Sequence, residues 1–79
     1  MNKIEIFNKL NEVFQDVFDD DSIIVTEKTT AKDIEDWDSL EHINLIAAVE
    51  KEFKISFTMG QVSTMKNVGE MVSIIEEKA

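Results

Sequence analysis

Asp38, Ser39 and His42 bring a carboxylate, a hydroxyl and an imidazole within one helical turn of sequence, the residue types of a nucleophile with its base and orienting acid. At a spacing of three, Ser39 and His42 would share one face of a helix. A hydrolytic triad also needs the acid behind the imidazole, an oxyanion hole and a concave substrate site, and no glycine-rich turn around Ser39 provides them. On these residues alone, Ser39 reads as a capping or solvent-facing serine at a helix start, and His42, the only histidine, as an exposed polar residue on that helix. The run Asp19-Asp20-Asp21 suggests calcium. An EF-hand loop counted from Asp19 would need glycine at its sixth position and glutamate at its twelfth, and those are Ile24 and Thr30, so no metal site is expected.

The elements that must hold these residues belong to a chain of 79 residues, enough for one domain spanning residues 1–79. A domain of this size buries only about 60% of its unfolded surface, which leaves little room for an enclosed enzyme pocket. Hydrophobic residues at 43% and charged residues at 32% are an ordinary folded balance. There is no cysteine, so disulfides, thiolate metal sites and a cysteine nucleophile are excluded, and any thiol chemistry must be borrowed. With 17 acidic against 8 basic residues the net charge is −9, which repels nucleic acid and anionic lipid and favours a basic protein surface. Charges interrupt the apolar residues of the first segment. No signal peptide and no membrane-spanning run of about 20 apolar residues is present, which reads as a soluble, cytoplasmic protein.

The absence of proline and the presence of only two glycines favour an all-helical fold. From Ile4, the residues Phe7, Leu10, Phe14 and Val17, with Ile6, Val13 and Phe18 beside them, follow helical spacing; Asn2 or Asn8 can cap the start, and the three aspartates mark the end. Residues 22–37 form a long connection, with Ile24, Ile34 and Trp37 as the anchors expected to dock it. The second helix starts sharply at Asp38, with Glu41 completing a capping box and Leu40, Ile43, Ile46, Ala47, Val49 and Phe53 as its apolar positions. Ile55 to Phe57 reads as an extended exit, and residues 58–65 as a short helical turn. Asn67 with Glu70 opens a last amphipathic helix through Val68, Met71, Val72, Ile74 and Ile75, expected to fray over residues 76–79. The architecture is a small bundle of three main helices plus one short helix.

Asp38-Ser39-Leu40 behind a long loop, the pattern E-x-x-F-x-I-x-F from Glu50 to Phe57, a short third helix and Asn67-Val68 opening the last one together resemble acyl carrier proteins over essentially the whole chain. The resemblance implies that Ser39 is esterified with 4′-phosphopantetheine from coenzyme A by a separate, metal-dependent phosphopantetheinyl transferase. It further implies that the arm's thiol carries acyl groups as thioesters, so the protein is a carrier rather than an enzyme. A phosphodiester on the first helical residue would lie by free N–H groups at the positive end of the helix dipole, where an anion gains ~0.3–1 kcal/mol.

Partner recognition falls, on this resemblance, to Trp37, Asp38, Leu40, Glu41, Ile43 and Glu50. The partners implied are acyl-activating, acyltransferase or synthase enzymes with basic docking surfaces, met by a monomer. Asn44 and Lys51 stand where the fatty acid branch often has acids, and Met59, Gly60 and Ser63 leave the third helix uncharged, which points to dedicated partners. Trp37 replaces the small residue common in that branch and looks more like stand-alone carriers of specialised biosynthesis. An aminoacyl carrier, and an acidic helical interaction domain without a prosthetic group, are the alternative readings.

Overall fold

A computed structural model describes residues 2–79; it contains four helices and, among the described residues, no strand. Helix α1, Lys3–Phe18, begins at Asn2, whose side-chain oxygen accepts the backbone N–H of Glu5 at 2.9 Å. Its buried seam is Ile6, Leu10, Val13, Phe14 and Phe18, the i, i+4, i+7, i+8, i+12 set. Phe7 and Val17 flank this seam, and Ile4 lies outside it, 73% exposed. The helix stops at Asp19, which adopts the left-handed conformation with φ 51° and ψ 48°. Aspartate tolerates that region better than most residues with a Cβ. Asp20 then forms a turn in which its carboxylate accepts the Ser22 hydroxyl at 2.6 Å and the Ser22 N–H at 2.9 Å. Those two bonds, the hydroxyl first, hold the Asp20 carboxyl below its ordinary pKa.

The long connection is fastened by polar side chains of α1 as much as by apolar docking. Asn11 Oδ1 accepts the N–H of Val25 at 2.7 Å, and Gln15 Nε2 donates to the carbonyl of Ile23 at 2.9 Å. These two residues are one helical turn apart, so they grip successive stretches of the loop. Val25 is thereby buried. Ile24, expected as an anchor, is 74% exposed, because in extended backbone only one of two neighbouring side chains can face the core. Ile34 packs against the core as expected, and Trp37 is buried in it. Threonines that suit helices poorly close the turns here: Thr29 Oγ1 accepts the N–H of Thr26, and Asp33 accepts that of Thr30.

Helix α2, Ser39–Phe53, buries Leu45, Ile46, Val49 and Phe53 against α1. Lys54 ends it with φ 57°, and the extended exit follows, with Ile55 and Phe57 packed on the core. Helix α3, Met59–Thr64, is started by a full capping box between Thr58 and Gln61. Helix α4, Val68–Lys78, packs on α1 through Val68, Met71, Val72 and Ile75 and remains helical to Lys78, where fraying was expected. Its first turn is tied to the connection by Val68 N–H to Thr29 O at 2.8 Å and Gly69 N–H to Glu27 O at 2.9 Å. Glu70 does not close the expected capping box on Asn67; its carboxylate accepts the N–H of Lys66 instead, one position earlier.

Candidate functional site

Ser39 is the first residue of α2 and is exposed. Its position is set by Asp38, whose extended backbone turns the chain into the helix and whose Oδ1 accepts the N–H of Glu41 at 2.8 Å. The expected capping box is therefore half made. The Glu41 carboxylate accepts the side-chain amide of Asn44 at 3.1 Å rather than reaching back to Asp38, which leaves an acidic edge beside Ser39.

The imidazole of His42 is half-buried and engaged, not the free polar side chain expected of it. Its Nδ1 accepts the indole N–H of Trp37 at 3.1 Å, and the two rings lie nearly coplanar, 22° apart with centroids at 5.9 Å. A nitrogen that accepts carries no proton, so the neutral ring is protonated on Nε2. This arrangement also removes the triad reading. The acid of a triad accepts a hydrogen bond from Nδ1–H, whereas here Nδ1 itself accepts from an indole and the Asp38 carboxylate serves the helix.

Trp37 links His42 to the core. It is 9% exposed and packs edge-on to Phe14 at 5.3 Å and tilted against Phe18 at 6.3 Å. It thus shapes the surface near Ser39 from beneath, where a direct partner contact was expected. Beside Ser39 runs a cleft of about 440 Å³. Trp37, Ser39 and His42 line it on the α2 side, and Val62, Met65 and Lys66 on the α3 side.

The other residues expected at a partner surface divide by exposure. Leu40 and Ile43, 67% and 64% exposed, join Ala47 in an outward apolar stripe on α2. The apolar spacing of α2 runs through these three and the buried Ile46, Val49 and Phe53 alike, and Leu45 is fully buried beside them. Glu50 is half-buried, and its Oε2 accepts the N–H of Phe57 at 2.8 Å, so this acid fastens the exit of α2. The Trp37–His42 link and the Val62, Met65 and Lys66 wall were absent from the sequence reading; they join residues across a helix start and across two helices, where no periodicity marks them.

No protein-family model matches the chain. It is 33% identical over 76 residues to the acyl carrier protein of Lactobacillus acidophilus, covering 96% of this chain and 95% of that one. It is 30% identical over 71 residues, 90% and 84% of the two chains, to the polyketide-8 synthase acyl carrier protein 1 of Streptomyces avermitilis. Among solved structures, the solution structure of the holo acyl carrier protein from Geobacter metallireducens superposes with a TM-score of 0.86 at 44% identity, over 91% of this chain and 83% of the other. The chain belongs to the acyl carrier protein family. The four-helix fold and the carrier role that the resemblance implied are shown with that membership.

Proposed function

We propose that residues 1–79 form one carrier domain in which Ser39 holds 4′-phosphopantetheine. The observation that carries this reading is the exposed Ser39 hydroxyl at the first position of α2, framed by Asp38 and Leu40 and opening onto a cleft. The residues present suit the group. The start of α2 offers a phosphodiester unpaired backbone N–H groups, and the cleft offers apolar side chains from Val62 and Met65 together with the Lys66 ammonium. When bound, the group supplies the thiol that this cysteine-free chain lacks, and acyl units travel on it as thioesters.

In the loading step the Ser39 oxygen attacks the phosphorus bearing the pantetheine of coenzyme A. One P–O bond forms, the pyrophosphate P–O bond breaks, adenosine bisphosphate leaves, and the serine proton passes to a base of the phosphopantetheinyl transferase. The chain's part is positional: Asp38 fixes the helix start, and Leu40 and Ile43 stand exposed beside the hydroxyl for a partner to cover. Partner enzymes of fatty acid, polyketide or other specialised biosynthesis then meet the same face. Its apolar stripe and uncharged α3 favour dedicated partners over a general, strongly basic one. This work falls in the cytoplasm.

Intact mass after incubation with coenzyme A and a broad-specificity phosphopantetheinyl transferase tests the proposal. Wild type is expected to gain one phosphopantetheine and Ser39→Ala none, with unchanged circular dichroism, since an exposed first-turn serine contributes little to stability. An unmodified wild type, or a modified Ser39→Ala, removes the assignment.

A further inference from the structure

The side chains nearest Ser39 in sequence are unfavourable to a phosphodiester. Asp38 and Glu41 flank it, and the chain as a whole carries −9. The only histidine and Lys66, which can offset this by donating a proton or by positive charge, both line the Ser39 cleft, His42 on the α2 side and Lys66 on the α3 side. Neither is committed elsewhere at its donor. His42 spends Nδ1 on Trp37, which leaves the Nε2–H edge of the ring free. Lys66 uses only its backbone N–H, on Glu70, and the one ion pair among the described residues joins Lys3 to Glu27. The hydrogen bond holds the ring nearly coplanar with the indole, so its donor is oriented before any ligand arrives.

We propose that His42 and Lys66 form the seat of the phosphodiester on Ser39, with Trp37 as the positioning residue that fixes the imidazole as an Nε2–H donor. The arm then continues along the cleft over Val62 and Met65 instead of extending into solvent. The inference rests on phosphopantetheine attachment at Ser39. It assigns to the indole a task besides packing: holding a neutral donor where a rotating side chain would lose orientational freedom on each engagement.

The experiment compares amide and indole resonances of ¹⁵N-labelled protein before and after conversion to the phosphopantetheine form, with conversion verified by intact mass. The expected result is a set of shift changes covering His42, Val62, Met65, Lys66 and the Trp37 indole N–H. In Lys66→Ala and in His42→Phe, which keeps an aromatic ring beside Trp37 without its nitrogens, the changes at Val62 and Met65 should fall at least twofold. His42→Gln, which restores a donor near the Nε2 position, should recover part of the loss. Trp37→Phe separates the indole's two tasks, because it keeps an aromatic ring against Phe14 and Phe18 and removes the hydrogen bond. A purely structural tryptophan predicts unaltered shifts at Val62 and Met65 in that variant, whereas a positioning one predicts their reduction. Shift changes confined to residues 38–40, with the indole resonance unmoved, overturn the seat. A missing mass gain removes the attachment itself, and this proposal with it. Should His42→Phe lose its helical signal, the surface variant Lys66→Ala decides the matter alone.

Discussion

At the scale of single residues, two neighbours at one helix start have separable duties. Ser39 offers a hydroxyl, and Asp38 determines where that hydroxyl stands. The Asp38 carboxylate satisfies the Glu41 N–H at 2.8 Å, and replacement of such a cap by alanine costs about 0.5–2 kcal/mol. For a domain of this size, 1 kcal/mol corresponds to roughly 4–8 °C in thermal midpoint. Asp38→Ala is therefore expected to melt several degrees below wild type and to accept phosphopantetheine more slowly. Asp38→Asn caps about as well as aspartate and lacks only the charge. It should recover the melting temperature, so whatever loading defect persists in it measures charge recognition by the transferase. Equal melting temperatures in all three proteins would mean that the cap contributes nothing to this helix.

At the scale of elements, the carrier surface depends on how the connection before α2 is held, and one of its fastenings is the backbone pairing with α4. A Cβ placed on Gly69 would come within 2.8 Å of the Glu27 carbonyl oxygen and 3.3 Å of the Glu27 Cβ, against backbone that cannot swing aside. Gly60 in α3 offers the opposite case, with its nearest neighbour at 3.9 Å. Glycine to alanine inside a helix ordinarily gains up to about 1 kcal/mol, whereas a forced overlap in a packed site costs about 1–3 kcal/mol. Gly60→Ala is expected to be neutral or slightly stabilising and Gly69→Ala destabilising in chemical denaturation; the same sign for both would contradict the close approach. The sequence makes the helices legible because caps such as Asn2, Asp38 and Asn67 are local signals that coincide with apolar periodicity. It makes their inward faces less legible. Leu40, Ile43 and Ala47 repeat with helical spacing just as the buried residues do, and hydrophobicity does not distinguish a stripe kept for a partner from one kept for the core. The loop anchors are less legible still. Asn11 and Gln15 bind backbone groups of Val25 and Ile23, 14 and 8 residues away, and a bond to backbone leaves no trace in the partner's residue type. Ser39 as a candidate was legible through its motif. The Trp37–His42 pair was not, being a five-residue contact formed only after the chain turns into α2.

At the scale of the molecule, net charge and core packing each bear on what the carrier can meet and hold. A charge of −9 steers basic partners, and exposed charges are screened over about 8 Å at physiological ionic strength, so loading by a basic transferase should slow several-fold as salt rises and further in Glu41→Lys. Rates indifferent to both changes would place docking on Leu40, Ile43 and Ala47. Cargo raises a different balance. Phe14, Ile6, Leu10, Leu45 and Ile75 are fully buried, and Trp37 closes the same core beneath Ser39, so an alkyl chain gains burial only by displacing packed side chains. Each buried CH₂ contributes about 0.8 kcal/mol, and a six-carbon chain offers roughly 4 kcal/mol. That is comparable to the whole stability of a 79-residue domain, about 4–12 kcal/mol at ~0.05–0.15 kcal/mol per residue. Because Trp37 is a core residue only two positions from the proposed attachment point and lines the same cleft, the alkyl chain's least disruptive path adjusts the indole and leaves the α1 seam in place. A hexanoyl thioester is thus expected to raise the thermal midpoint above that of the unacylated holo form by at least ~4 °C, the equivalent of about 1 kcal/mol surviving after the core has opened, and to change Trp37 emission. A polar acyl group of equal length should do neither. Midpoints and emission that stay constant across acyl length would locate the cargo outside the bundle and favour an aminoacyl or other polar load, held along the cleft by the side chains of α3.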